Sequence, residues 1–194
     1  ILDLPGDNPA NPAEQQHVER VAQTYLPFAD LILLVGRGDD LGFLQPGVIT
    51  LPGIEDWQAM PRRFRVVTTY SYYAKNIKDQ LRTGQLSDVV ELRKRLIKQI
   101  QTFSPLGPAA QNAALYFPLE FGISWQELAQ TEPDLYAKLT PLIAQLRTEL
   151  LQDITNATTP MGRLRSTWDT HHSVKYLREK KIGIIDDRLK VQNK

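Results

Sequence analysis

The sequence contains no cysteine among its 194 residues. This absence excludes disulfide bonds, thiolate nucleophiles and zinc sites built on cysteine, and it fits the cytoplasmic location that we expect. Long apolar runs are absent as well. The longest, around residues 31–35, is far shorter than the about 20 residues that a helix needs to cross a bilayer. No signal peptide is visible either.

The charge balance is nearly neutral and indicates no particular partner. Lysine and arginine number 23 against 22 aspartate and glutamate residues, which gives a formal net charge of +1. A chain without an excess of basic residues does not suggest nucleic acid as a ligand. A membrane surface stays open as a partner, although nothing in the composition supports it. The apolar content of 42% is ordinary for a globular protein and is enough for one substantial core.

The first six residues, ILDLPG, are the most informative stretch. Two large apolar residues end in Asp3, and a Pro-Gly turn follows at once. This pattern predicts a buried parallel strand that carries the Asp3 carboxylate to its carboxyl end. Ligands of open α/β sheets bind at such strand ends. Because the chain opens without methionine and inside this pattern, we expect further residues upstream in the intact protein.

The next elements alternate between helix and strand. Residues 11–26 predict a helix, with Asn11 as its N-cap and Pro12 at its first position. Its buried stripe should hold Val18, Val21, Ala22 and Tyr25. Residues 29–36 are continuously apolar and predict a strand covered on both faces. Residues 62–69 predict the next strand.

The remainder predicts the same class and then a helical segment. We expect a helix over residues 87–103, capped by Ser87, and a buried strand over 113–119. Residues 1–125 therefore predict an α/β unit with a mostly parallel sheet and flanking helices. Residues 126–194 predict a helical segment in which Pro141 kinks or restarts the first helix, and residues 181–186 form a short strand before a polar tail.

Asp3 and Gly6 lie in a D-x-P-G sequence. It resembles the D-x-x-G signature of P-loop GTPases, in the form used by dynamin-like and related bacterial GTPases. The helix at 11–26 and the strand at 29–36 follow in the order of the switch helix and the next strand of a G domain. The resemblance covers about residues 1–125 and implies that GTP and Mg²⁺ bind here. Asp3 would hold Mg²⁺ through water, and the Gly6 N–H would contact the γ-phosphate.

The other GTPase motifs match in part. The base-reading N/T-K-x-D sequence corresponds to residues 69–72, which read TYSY. Thr69 matches, Tyr70 stands for the lysine and Tyr72 for the aspartate, so the resemblance makes Thr69 and Tyr70 candidate nucleotide contacts. The S-A-K motif would fall near residues 119–121 and does not match. No G-x-x-x-x-G-K-S/T phosphate loop occurs in the chain, and upstream residues would have to supply one.

Three functions follow from these patterns. The first is a GTP hydrolase switch domain, in which residues 7–12 respond to the phosphate and the helical segment acts on a protein partner or on a second copy of the chain. The second is a non-catalytic pseudo-GTPase or protein-interaction module, which Tyr70 and Tyr72 favour. The third is a relative of P-loop ATPases, in which Asp3 ends the Walker-B strand.

Overall fold

The computed structural model describes residues 3, 11–45, 48 and 57–192. These residues form a parallel sheet of three strands, β1 (Ile32–Arg37), β2 (Phe64–Thr69) and β3 (Tyr116–Pro118), which pair in chain order. The helices are α1 (Pro12–Tyr25), α2 (Lys75–Arg82), α3 (Val89–Gln101), α4 (Ile123–Thr131), α5 (Pro133–Ala157) and α6 (Pro160–Gln192). The predicted α/β class, with a parallel sheet and flanking helices, is confirmed. No helix in the described ranges is long and apolar enough to cross a membrane.

Helix α1 begins as its sequence predicts. The Asn11 side chain accepts a hydrogen bond from the Ala13 N–H at 2.9 Å, and proline occupies the first turn. Val18 and Ala22 are buried against the sheet. Tyr25, which we placed on the buried stripe, is 55% exposed because the helix ends there and the chain turns away.

Two apolar clusters cover the two faces of the sheet. On one face, Leu34 and Val66 pack with Val18 and Ala22 of α1. On the other face, the buried residues of β2 and β3 pack with one side of α5; this cluster includes Val67, Phe117, Leu135, Leu139, Ile143, Leu146 and Leu150. Helix α3 contributes side chains to both clusters and packs against β3. Burial of these side chains is the main source of stability for the fold.

Strand β1 differs from the prediction that both of its faces are covered. Leu33 is 38% exposed and Val35 is 59% exposed, whereas Ile32 and Leu34 between them are buried. The reason is that no β1 residue belongs to the cluster around α5, which covers only β2 and β3 on that face. In the described part of the chain, β1 also pairs with β2 alone, so its other edge has no strand beside it.

Helix α5 belongs to the same core as the sheet, although the sequence assigned it to a separate helical segment. The predicted boundary between residues 125 and 126 falls inside α4. Two ion pairs also attach α5 to the sheet and to α3: Arg65 to Asp153 and Arg93 to Glu149, both at 2.6 Å. Residues 126–157 are therefore not a separate packing unit.

Three local predictions need correction, and the structure adds one helix. Asp88, and not Ser87, caps α3 by accepting a hydrogen bond from the Glu91 N–H. The strand predicted over 113–119 is regular only at residues 116–118, because Asn112 holds the preceding residues in a 3₁₀ turn. Helix α2 was not predicted. Helix α5 does not restart at Pro141 but continues through it, since packing of its apolar side outweighs one lost backbone hydrogen bond.

Helix α6 replaces the short strand predicted over residues 181–186. These residues continue the helix that begins at Pro160, after a short turn at the end of α5. Near that turn a Cβ on Gly162 would lie 2.0 Å from the Asn156 carbonyl oxygen, so only glycine permits this close approach. The apolar residues in 181–186 are exposed, so they do not show the alternating burial that a half-buried strand would have.

Candidate functional site at the carboxyl ends of the strands

A hydrogen bond and a close backbone contact join the carboxyl ends of β1 and β2. The Gly38 N–H donates to the Thr69 carbonyl at 2.6 Å. A Cβ on Gly38 would lie 2.9 Å from the Cα of Ser71, so this contact requires glycine. The chain then turns sharply at Tyr70, whose φ of 51° is the one positive value for a non-glycine residue in the described ranges. A bulky residue in this conformation is strained, and such strain is common at functional sites.

Arg37 and Tyr70 form a stacked pair at this edge. The Arg37 guanidinium lies 4.1 Å from the centre of the Tyr70 ring. The same guanidinium donates two hydrogen bonds to Asp39, at 2.9 and 2.7 Å. These hydrogen bonds hold the pKa of Asp39 below its usual value. The edge therefore presents a charged pair and an aromatic ring in one place.

Two polar side chains of α3, Arg95 and Gln99, hold the loops that follow β1 and β2. Arg95 donates to the Ser71 carbonyl at 3.2 Å and to the Gln99 side chain at 2.7 Å, and Gln99 in turn donates to the Gly38 carbonyl at 3.1 Å. Burial lowers the pKa of Arg95, and its two hydrogen bonds, to Ser71 and to Gln99, tie α3 to the loop after β2. The two loops are therefore positioned by a structured element and not only by each other.

Glu120 is the carboxylate that joins the loops after β2 and β3. It is 3% exposed, accepts the Tyr72 N–H at 3.2 Å and accepts the Ser124 hydroxyl at 2.5 Å. Burial raises its pKa, while hydrogen bonds from Ser124 and from the backbone N–H groups of Tyr72, Tyr70 and Ser71 partly oppose that shift. Sequence reasoning did not select Glu120, because Tyr72, whose N–H it accepts, lies 48 residues earlier in the chain.

A cleft of about 350 Å³ opens beside this carboxylate, between α2 and α4. Tyr73 and Leu128 provide apolar walls, and Lys78 lies 5.3 Å from the centre of the Tyr73 ring. The volume is at the lower end of the range for small-molecule sites, about 300–1,000 Å³. The cleft adjoins the same loop that carries Tyr70, so both features belong to one edge of the sheet.

The predicted site residues have different positions. Thr69 and Tyr70 lie at this edge, half-buried, at the end of β2. Asp3 is exposed and lies in neither a helix nor a strand, while Gly6 and the rest of the predicted first strand lie outside the described residues. Tyr72, in the place of the base-reading aspartate, is buried and donates to the Pro118 carbonyl at 2.7 Å. Its side chain therefore serves the core.

Comparison with known proteins adds no further information on this site. No protein-family model, no curated protein and no solved structure matches the chain.

Replacing Glu120 by glutamine should change how stability depends on pH. Because burial raises the pKa of Glu120, the folded state holds this proton more tightly than the unfolded state does. The stability of the natural protein relative to Glu120→Gln should thus be greatest in acid. It should fall as the pH rises above the usual glutamate value of 4.5. Urea unfolding of both proteins across this range measures the difference, and a constant difference would contradict the burial argument.

Proposed function

We propose that this chain carries the nucleotide-binding edge of a GTPase-like protein, with GTP and Mg²⁺ as ligands. The observation that carries the proposal is the geometry of the sheet. Three parallel strands end side by side in chain order, and their loops form an edge with an aromatic ring, a charged pair and a cleft. Open α/β sheets bind nucleotides at this edge.

Tyr70 is the proposed contact for the base. Arg37 covers one face of its ring, and the base would stack on the other face. Thr69, which precedes it, occupies the first position of the base-reading motif in the GTPase resemblance. The hydrogen bond from Gly38 to the Thr69 carbonyl holds this end of β2 in place before any ligand binds.

Asp3 is the proposed partner of Mg²⁺. Its carboxylate is exposed and is therefore accessible to a hydrated cation. Within the described ranges, no group of three or more His, Cys, Asp or Glu side chains lies close enough together to hold a metal ion. A site with a single carboxylate fits Mg²⁺ in nucleotide complexes, where water and phosphate oxygens supply the other ligands. When bound, the ion would neutralise phosphate charge.

The uncovered side of β1 also supports a GTPase-like arrangement. No described strand pairs with its outer edge, and in a G domain another parallel strand and a helix would cover that edge and the exposed side chains of Leu33 and Val35. In such a domain a phosphate loop joins that strand and helix. The described sheet would then continue past β1, with the nucleotide lying across the junction.

A titration of the intact protein with a fluorescent GTP analogue, with and without Mg²⁺, tests this proposal. Tyr70→Ala should weaken binding by about 5- to 150-fold, because stacking of a base on an aromatic side chain is worth about 1–3 kcal/mol. The matched control is Tyr25→Ala, at an exposed tyrosine on α1, which should bind as the natural protein does. Equal affinities for all three proteins would contradict the role of Tyr70.

The second candidate is a pseudo-GTPase or interaction module. The observation that favours it is the buried Tyr72 side chain, which leaves no carboxylate at the base-reading position. Such a protein would show no Mg²⁺-dependent binding in the same titration. Repeating the titration with ATP distinguishes the third candidate, an ATPase relative, since tighter binding of ATP than of GTP would favour it.

A further inference from the structure

Helix α6 is attached to the rest of the protein by one side of its first turns. Its half-buried residues in this part recur at the spacing of a single helix face; they are Gly162, Ser166, Asp169 and Thr170. Two ion pairs reinforce this side, from Arg163 to Asp30 at 2.9 Å and from Arg62 to Asp169 at 2.7 Å. The opposite side of α6 is therefore turned away from the sheet and its helices.

That outer side carries a regular row of exposed side chains. The row alternates steps of three and four residues, which is the spacing of a coiled-coil seam. Its members are Met161, Leu164, Trp168, His171, Lys175, Arg178, Ile182 and Ile185. Trp168 is 67% exposed and Leu164 is 66% exposed, so large apolar surface is left in contact with water. The row is apolar at both ends, and its two basic residues, Lys175 and Arg178, are adjacent members near its middle.

We propose that this row is the interface with a second copy of the chain, in which the two α6 helices pair antiparallel and cross near residue 173. The proposal does not depend on nucleotide binding. In this register Met161 faces Ile185 of the second copy, and Leu164 faces its Ile182. Both layers are apolar, and symmetry repeats each of them at the other end of the helix pair.

The central layers decide the direction of the two helices. In the antiparallel register Trp168 faces Arg178 of the second copy, an arrangement in which the guanidinium can lie on the indole ring. His171 faces Lys175 of the second copy, where an imidazole nitrogen can accept a hydrogen bond from the ammonium group. A parallel pair would instead place Lys175 against Lys175 and Arg178 against Arg178 in the seam, where like charges repel.

Charges beside the row are also complementary in the antiparallel register. Arg165 comes within about two residues, or about 3 Å along the axis, of the level of Glu179 in the second copy. Both side chains are exposed, and within its own chain Glu179 makes a loose contact with Lys175 at 4.0 Å. Two such pairs per dimer would flank the seam and favour this register.

Disulfide trapping tests the arrangement directly, because the chain has no cysteine of its own. We would mix full-length Met161→Cys with full-length Ile185→Cys under mild oxidation and identify linked peptides by mass spectrometry. The proposal predicts a disulfide between residues 161 and 185. Met161→Cys alone should form none, because the two copies of residue 161 would lie about 36 Å apart along the axis. Disulfides only between like residues would overturn the antiparallel register.

Oligomeric state provides an independent test with matched substitutions. Sedimentation of the natural chain should show a species of twice the 22.1 kDa of one chain at high concentration. Leu164→Glu should weaken this dimer at least about tenfold, whereas Ile184→Glu, an exposed position outside the row, should leave it unchanged. Circular dichroism checks that both variants stay folded. A monomer at every concentration, or equal weakening by both substitutions, would overturn the proposal.

Discussion

Intact protein carrying Asp3→Ala should lose Mg²⁺-dependent GTP hydrolysis, with a fall in rate of at least about 100-fold. Removing the carboxylate takes away the one side chain that we assign to the metal. A bound cation supplies several kcal/mol of stabilisation to the charge that develops on phosphate oxygens, and about 2.7 kcal/mol corresponds to 100-fold. Release of inorganic phosphate at saturating Mg²⁺ measures the effect.

The matched control for this substitution is Asp134→Ala. Asp134 is an exposed carboxylate at the start of α5, outside the carboxyl edge of the sheet. Its loss should leave the hydrolysis rate within about twofold. Turnover that survives Asp3→Ala would refute the assignment of Asp3, and equal loss in both variants would point to a general effect on folding.

Leu139→Ala should lower the free energy of unfolding by about 2–5 kcal/mol, which is the usual cost of a cavity at a fully buried leucine. Leu139 is completely buried in the cluster that α5 shares with β2 and β3. The prediction therefore tests whether α5 is part of the sheet core. Urea denaturation monitored by far-ultraviolet circular dichroism gives the free energy, provided that a single transition is seen.

Leu151→Ala is the control on the same helix. Leu151 is 63% exposed, so its truncation should change the free energy of unfolding by less than about 0.5 kcal/mol. A cost below about 1 kcal/mol at Leu139, or separate transitions for the sheet and for α5, would show that the two do not share a core.

Local sequence signals predicted the parts of the fold that depend on neighbours in the chain. Asn11 and Pro12 marked the start of α1, and the apolar runs located β1 and β2 to within a few residues. These signals act over one or two turns, so they can be recognised without knowing the rest of the structure. The boundaries of β3 could not be recognised in the sequence. Helix α2 could not be recognised either, because its only buried residues are Ile77 and Leu81, which stand among polar and charged residues.

The candidate site was harder to predict because its contacts join distant segments. Thr69 and Tyr70 were selected by resemblance to a motif, and both lie at the carboxyl edge of the sheet. Glu120 and Arg37 were not selected, since the hydrogen bonds of Glu120 and the stacking of Arg37 on Tyr70 depend on how three loops meet. The exposure of Val35 could not be predicted either, because an apolar run does not reveal which strand lies at the edge of a sheet.

The most direct test of the nucleotide-binding edge is to map backbone amide shifts in the intact protein on adding GTP and Mg²⁺. We predict shifts for Gly38, Tyr70 and Ser71, at the carboxyl ends of β1 and β2. Amides at the amino ends, such as those of Ile32 and Phe64, should be unaffected. Shifts confined to other surfaces, or none at saturating nucleotide, would contradict the proposal that this edge binds GTP.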